Sequence, residues 1–175
     1  MLANICKHHL NLQHITEKGL KYLFSLSILL IFASCSTVEV YDQWKNLDDN
    51  TWDKKKTVQI PLQISDTDHY YNLGINLRIT NDYKYTNLWV KLNTTDPAGK
   101  KSSELLNLAL ADHRGYWSGH NLGHIISFRL PAQKNKVFNK PGEYKFEFQQ
   151  YMRDTLLKEV VSIGIKLDKQ QEILK

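Results

Sequence analysis

Residues 71–79 read YNLGINLRI. Tyr71, Leu73, Ile75, Leu77 and Ile79 fall on one parity, with Asn72, Gly74, Asn76 and Arg78 on the other. Side chains of an extended chain point alternately to opposite faces, so this spacing predicts a strand with one apolar face turned to a core. A helical period would scatter the same five apolar residues around the axis.

The same period recurs outward in both directions. Val58, Ile60, Leu62 and Ile64 alternate with polar partners, and Pro61 lies on the opposite phase, which suits an edge strand. Leu88, Val90 and Leu92 alternate with Trp89, Lys91 and Asn93, after an Asn81-Asp82 turn. Asp96-Pro97-Ala98-Gly99 and Asn139-Lys140-Pro141-Gly142 read as turns, proline fixing φ and glycine allowing positive φ. Leu106, Leu108 and Leu110 are taken as a strand, although Leu and Ala also favour a short helix. His124, Ile126, Phe128 and Leu130 form one face of the next segment, followed by Tyr144, Phe146 and Phe148, then Val161, Ile163, Ile165 and Leu167. Seven or so short strands without a sustained helical period predict an all-β fold, a single antiparallel β-sandwich of jelly-roll or immunoglobulin-like type over residues 57–168. Residues 36–56 carry the turn cluster Asp48-Asp49-Asn50 and no apolar period, so they read as a tether on which Tyr41, Trp44 and Trp52 could still dock. Residues 169–175 read as a polar tail.

Composition bounds the function. With 42% hydrophobic and 23% charged residues the chain lies among folding sequences, and its 175 residues suit one domain. The formal charge of +5 is mild. With Lys7, Lys18, Lys21 and Glu17 set aside as part of the leader, 20 basic and 17 acidic groups remain. Lys54-Lys55-Lys56 and Lys100-Lys101 stand beside turn residues rather than forming a phosphate-tracking stripe, so no nucleic-acid partner is expected.

The front end is distinctive. Residues 22–33, YLFSLSILLIFA, form an apolar run of 12, whereas a helical span needs about 20. Lys7, Lys18 and Lys21 precede it and the small residues Ala33 and Ser34 follow, the layout of a cleaved secretory signal over 1–34. Phe32-Ala33-Ser34-Cys35 resembles the bacterial lipoprotein box, with Phe32 in place of the usual Leu. Cleavage there would discard Cys6 and leave Cys35 as the one cysteine, at the new N-terminus, where its thiol has no disulfide to form and is available for acylation. The alternative is an ordinary small residue at the end of a signal. Residues 35–56 are thus expected to be a lipidated N-terminus and tether, holding the domain to a membrane. Ser36-Thr37-Val38 in place of an acidic run favours the periplasm-facing leaflet of the outer membrane.

No nucleophile elbow, phosphate-cradling loop, dinucleotide fingerprint or zinc-spaced cysteine pair occurs in the chain. Asp112-His113, His120 and His124 are the best cluster for metal or proton chemistry, but Gly119 and Gly123 point to a loop, and these read as exposed loop histidines. Neither a catalytic residue nor a metal, cofactor or small-molecule substrate is expected, and a metal hydrolase ranks last. Tyr83, Tyr85, Trp89, Tyr116 and Trp117 gather around two turns, where exposed rings could stack on sugars or take a partner protein, while core or rim packing at the open end of the sandwich is the favoured reading for any single ring.

LRITNDYKYTNLWV at 77–90, Pro97 with Gly99, LALADHRGYWSG at 108–119 and QQYMRDTLLKEVVSIGIKL at 149–167 follow one another in an order that resembles the GldH lipoproteins of the Bacteroidetes. Lys84 stands where that family usually has proline, and His120 and His124 fall in a usually more Gly-rich stretch. The resemblance implies a non-enzymatic outer-membrane lipoprotein of the gliding apparatus, linked to type IX secretion, whose partners are other envelope proteins. The expected partner surface comprises Arg78, Tyr83, Tyr85, Asn87, Trp89, Trp117 and Arg153. The rival reading is a carbohydrate-binding β-sandwich lipoprotein.

Overall fold

A computed structural model describes residues 40–173. The leader and Cys35 lie outside the described residues. The strands are β1 (Val40–Asn46), β2 (Thr51–Asp53), β3 (Val58–Ile64), β4 (His69–Thr80), β5 (Asn87–Thr95), β6 (Lys101–Ala109), β7 (His120–Leu122), β8 (Ile125–Lys136), β9 (Gly142–Gln150), β10 (Leu156–Lys158) and β11 (Val160–Glu172). All pairings are antiparallel.

One sheet has the order β1-β11-β4-β8-β7, a second β3-β9-β5-β6, and β10 pairs with β2 in a short third. Among the eight long strands, every consecutive connection except β5 to β6 passes from one large sheet to the other. That order is a jelly roll, and it decides between the two sandwich types expected. The alternation read at 71–79 gives β4 its core face: Tyr71, Leu73, Ile75, Leu77 and Ile79 are all buried. They share the core with Ile163, Ile165 and Leu167 of β11, Leu88, Val90 and Leu92 of β5, and Tyr144, Phe146 and Phe148 of β9. Pro61 sits on β3, an edge strand, where a missing N–H costs no ladder bond.

Three sequence expectations need correction. The tether expected over 36–56 is, from Val40 onward, part of the fold. β1 pairs with β11 from Val40↔Asp168 to Asn46↔Ser162, and Trp52 on β2 is 1% exposed. β1 escaped notice because Tyr41, Gln43 and Lys45 share its inward parity and only Tyr41 packs on the core. The polar tail expected from 169 is still strand to Glu172, held by backbone pairing that needs no apolar side chains. His124 lies in the turn before β8 rather than on its inner face, the chain reversing at Gly123 with φ 65°.

The outer face of the five-stranded sheet is closed by a polar row. Asn76, fully buried, donates from Nδ2 to Asp42 Oδ1 at 2.7 Å, and the Arg78 guanidinium lies 4.0 Å from the centre of the Trp44 ring. Gly164 faces Trp44 across β1–β11, and no larger residue fits: a Cβ there would stand 2.2 Å from the Gln43 carbonyl oxygen.

Candidate functional site

The alternation that buries Leu88, Val90 and Leu92 turns Asn87 and Trp89 of β5 outward. At the end of β9 the same parity sends Gln150 inward and, one residue past the strand, Tyr151 outward. The Tyr151 N–H donates to Trp89 O at 2.8 Å, so the two rings lie on neighbouring strands of one face. Trp89 is 36% exposed and Tyr151 54%. Across β5–β6, Trp89 faces Asn107 and Lys91 faces Leu105, itself 48% exposed. Trp89, Tyr151 and Leu105, together with Tyr85, Asn87, Met152 and Arg153, line an open hollow of about 580 Å³.

The hollow is built on a braced loop. Buried Gln150 accepts from the Met152 N–H at 2.8 Å and donates from Nε2 to Asp154 O at 2.8 Å, which keeps Met152 in and Arg153 out. Met152 Sδ in turn accepts the Trp89 N–H at 3.2 Å. Lys54 Nζ donates to Met152 O at 2.8 Å and stands 5.6 Å from the Tyr151 ring centre. Asn87 Nδ2 donates to Asn107 Oδ1 at 2.8 Å along the rim. Lys84 pairs with Asp154 at 2.8 Å and lies over Tyr85. That pairing and the Tyr85 bond hold the Asp154 carboxyl below the usual carboxylate range. Among the described residues, no carboxylate pairs with Arg153.

Of the seven residues expected to form a partner surface, Tyr85, Asn87, Trp89 and Arg153 line this hollow. Tyr83 is only 3% exposed, its hydroxyl donating to Asn87 O at 3.1 Å. Burial, followed by the Tyr85 and Asp154 charges, pushes that hydroxyl's pKa well above its ordinary value. Tyr83 backs Tyr85 edge-on at 5.9 Å and Trp117 at 6.5 Å, and Trp117 is half-buried against the core. Arg78 belongs to the other sheet, stacked on Trp44, and is no part of the same surface. Lys54, Leu105, Tyr151 and Met152 were not anticipated. Extending the outward parity of Glu143, Lys145, Glu147 and Gln149 by one step reaches Tyr151.

The histidine cluster is dispersed. Asp112 Oδ1 accepts from the Arg114 and Tyr116 N–H groups at 2.8 and 2.9 Å, an ordinary turn role. His120 lies on β7, and His124 stands 3.6 Å from Asp82 at the surface. No group of three or more His, Cys, Asp or Glu residues converges on a metal-sized site among the described residues.

β1 begins at Val40 opposite Asp168, and Asp168 faces Asn72, so the chain enters at the end of the sandwich holding residues 65–68, 96–100 and 137–141. The hollow opens at the other end, where β5 begins and β9 finishes. The nine steps from Tyr71 to Thr80 separate the two ends by about 30 Å.

Fold and surface together define a jelly-roll domain with an aromatic hollow at the end opposite to the one where β1 begins. The chain belongs to the GldH lipoprotein family, whose profile matches residues 39–167. It is 30% identical over 155 residues to the gliding motility lipoprotein GldH homolog of Christiangramia forsetii, covering 85% of this chain and 94% of that one. It is 26% identical over 150 residues to the gliding motility lipoprotein GldH of Flavobacterium johnsoniae, covering 82% and 92%. Among solved structures it is similar to the carbohydrate-binding module CBM28, specific for non-crystalline cellulose, with 7% identity, coverage of 73% and 72% and a TM-score of 0.39.

Proposed function

We propose that the chain is a non-enzymatic component of the gliding apparatus, anchored through acylated Cys35 in the periplasm-facing leaflet of the outer membrane and tied to type IX secretion. Its working surface is the hollow around Trp89, which meets another envelope component. The gliding role draws support from the names of both relatives. The anchor draws support from the lipoprotein box and from chain geometry. Only five steps separate Cys35 from Val40, a reach of at most about 17 Å, so one end of the sandwich stays beside the lipid. The single observation that supports the reading is that the aromatic hollow lies at the end of the sandwich opposite to the one where β1 begins, about 30 Å away along the strands. Two or three acyl chains give stable anchoring, whereas one binds reversibly.

The test is palmitate labelling with globomycin, followed by in-cell cross-linking from Arg153. Label on Cys35, accumulation of uncleaved precursor and capture of an envelope component support the proposal. An unlabelled chain contradicts the anchor, and no captured component contradicts the working surface. The exposed Trp89–Tyr151 pair also favours the second reading, a carbohydrate-binding lipoprotein.

A further inference from the structure

We infer that the hollow between Trp89 and Tyr151 binds an acidic saccharide, with a sugar ring against the two exposed aromatic side chains and a carboxylate or phosphate on Arg153. The inference rests on the reading of the hollow as the working surface, and it names what that surface takes.

Four observations carry it. Trp89 and Tyr151 occupy adjacent outward positions of β5 and of the chain continuing β9, about 5 Å apart by strand spacing, and so present one contiguous aromatic patch. Apolar C–H faces of sugars pack on such rings, while hydroxyl groups need paired donors and acceptors at the rim. The Asn87–Asn107 amide pair supplies both.

Charge decides the class of saccharide. Arg153 is exposed and unpaired with any carboxylate among the described residues, and Lys54 and Lys91 add positive charge beside Tyr151 and Leu105. Of the carboxylates on the flanking segments, Asp154 is ion-paired with Lys84, Glu147 accepts from the Gln59 amide, and Glu104 lies on the opposite parity of β6, against Gln133. An anion entering the hollow therefore meets a guanidinium with its planar donor fork available.

The floor of the hollow argues against an extended peptide. It is formed on the face of β5, which pairs with β6 along its length and with β9 from Val90 onward, while the Trp89 carbonyl accepts the Tyr151 N–H and the Trp89 N–H goes to Met152 Sδ, so there is no free ladder edge there for a peptide to extend. The site is also braced before any ligand arrives, through Gln150 and the Trp89 N–H to Met152 Sδ bond, so little ordering is needed on binding.

The test uses the full acylated chain in detergent micelles, followed by tryptophan emission and calorimetry. Oligogalacturonate and phosphorylated mannan oligosaccharides are the acidic probes, cellohexaose the neutral one and polyglutamate the acidic peptide. At least one acidic saccharide is expected to bind saturably and at least tenfold more tightly than cellohexaose and polyglutamate. Arg153→Gln, an exposed change, should weaken it about tenfold. Trp89→Ala should abolish the emission shift. Lys100→Gln, which removes the same charge at the opposite end, should leave binding unchanged. Failure of both acidic saccharides, equal binding of cellohexaose or polyglutamate, or equal effects of Arg153→Gln and Lys100→Gln would overturn the assignment. A chain acylated and cross-linked to its envelope neighbours in cells, yet blind to these saccharides, loses the ligand alone. A saccharide-binding chain that is never acylated loses the anchor alone.

Discussion

Gly164→Ala tests whether β1 is an integral strand. The added Cβ would lie 2.2 Å from Gln43 O and 3.2 Å from Asn76 Cβ, whereas a C···O contact needs about 3.3 Å. β1 must therefore withdraw from β11 by about 1 Å, enough to carry a backbone hydrogen bond of about 2.9 Å beyond its useful range. Losing two such bonds at about 1 kcal/mol each, with the residual strain of overpacking, puts the cost at about 3 kcal/mol. Gly74 lies on the same outer face with its nearest atom, Leu130 O, at 3.4 Å. Gly74→Ala should accordingly stay within about 0.5 kcal/mol of the parent, because ordinary contact is offset by reduced freedom of the unfolded chain. Urea denaturation of both variants measures the difference, and hydrogen exchange over residues 40–46 locates it. Equal stabilities, or a destabilised Gly164→Ala chain whose β1 amides keep their protection, would refute the reasoning.

Trp52→Ala should cost about 3–5 kcal/mol in the same assay, because the ring is buried on a segment whose sequence reads as a tether. Tyr83→Phe removes the hydroxyl that donates to Asn87 O and should cost about 1 kcal/mol, with no change in partner capture if Tyr83 is a wall support. The Asp66 carboxyl is held well below the usual carboxylate range, first by its bond to Lys169 and then by His69. Its folded pKa is thus below the unfolded value of about 3.9, so its stabilisation is full above that pH and is lost as pH falls below about 4. Melting curves should show Asp66→Asn less stable than the parent at pH 7, with the gap closing below pH 4. A gap constant down to pH 2.5 would contradict the ion pair.

The long strands were legible where successive inward residues meet the core, as in Tyr71 to Ile79. β1 was not, since two of its three inward positions, Gln43 and Lys45, remain exposed at the sheet edge. β2 and β10 are three residues each, too short to show a period, although Trp52 and Leu157 face each other across them in the core. For the hollow, Trp89 followed from parity and Tyr85 from the aromatic cluster around the turns, and Asn87 and Arg153 were reached through the family resemblance. Tyr83 stands beside a turn, and what buries it is packing against the core, Tyr85 and Trp117 with its hydroxyl satisfied by the Asn87 carbonyl, which alternation does not encode. Arg78 has outward parity, as expected, but strand order alone tells which sheet carries it.

The most direct measurement is energy transfer from single fluorophores, at Lys140→Cys or Arg114→Cys, to acceptors on lipid headgroups in vesicles carrying the acylated chain. Residue 140 lies at the end where β1 begins and residue 114 at the end with the hollow. Strong transfer from position 140 and weak transfer from position 114 is the expected result. Equal transfer, or the reverse order, would contradict a domain that stands on Cys35 with its aromatic hollow turned away from the membrane.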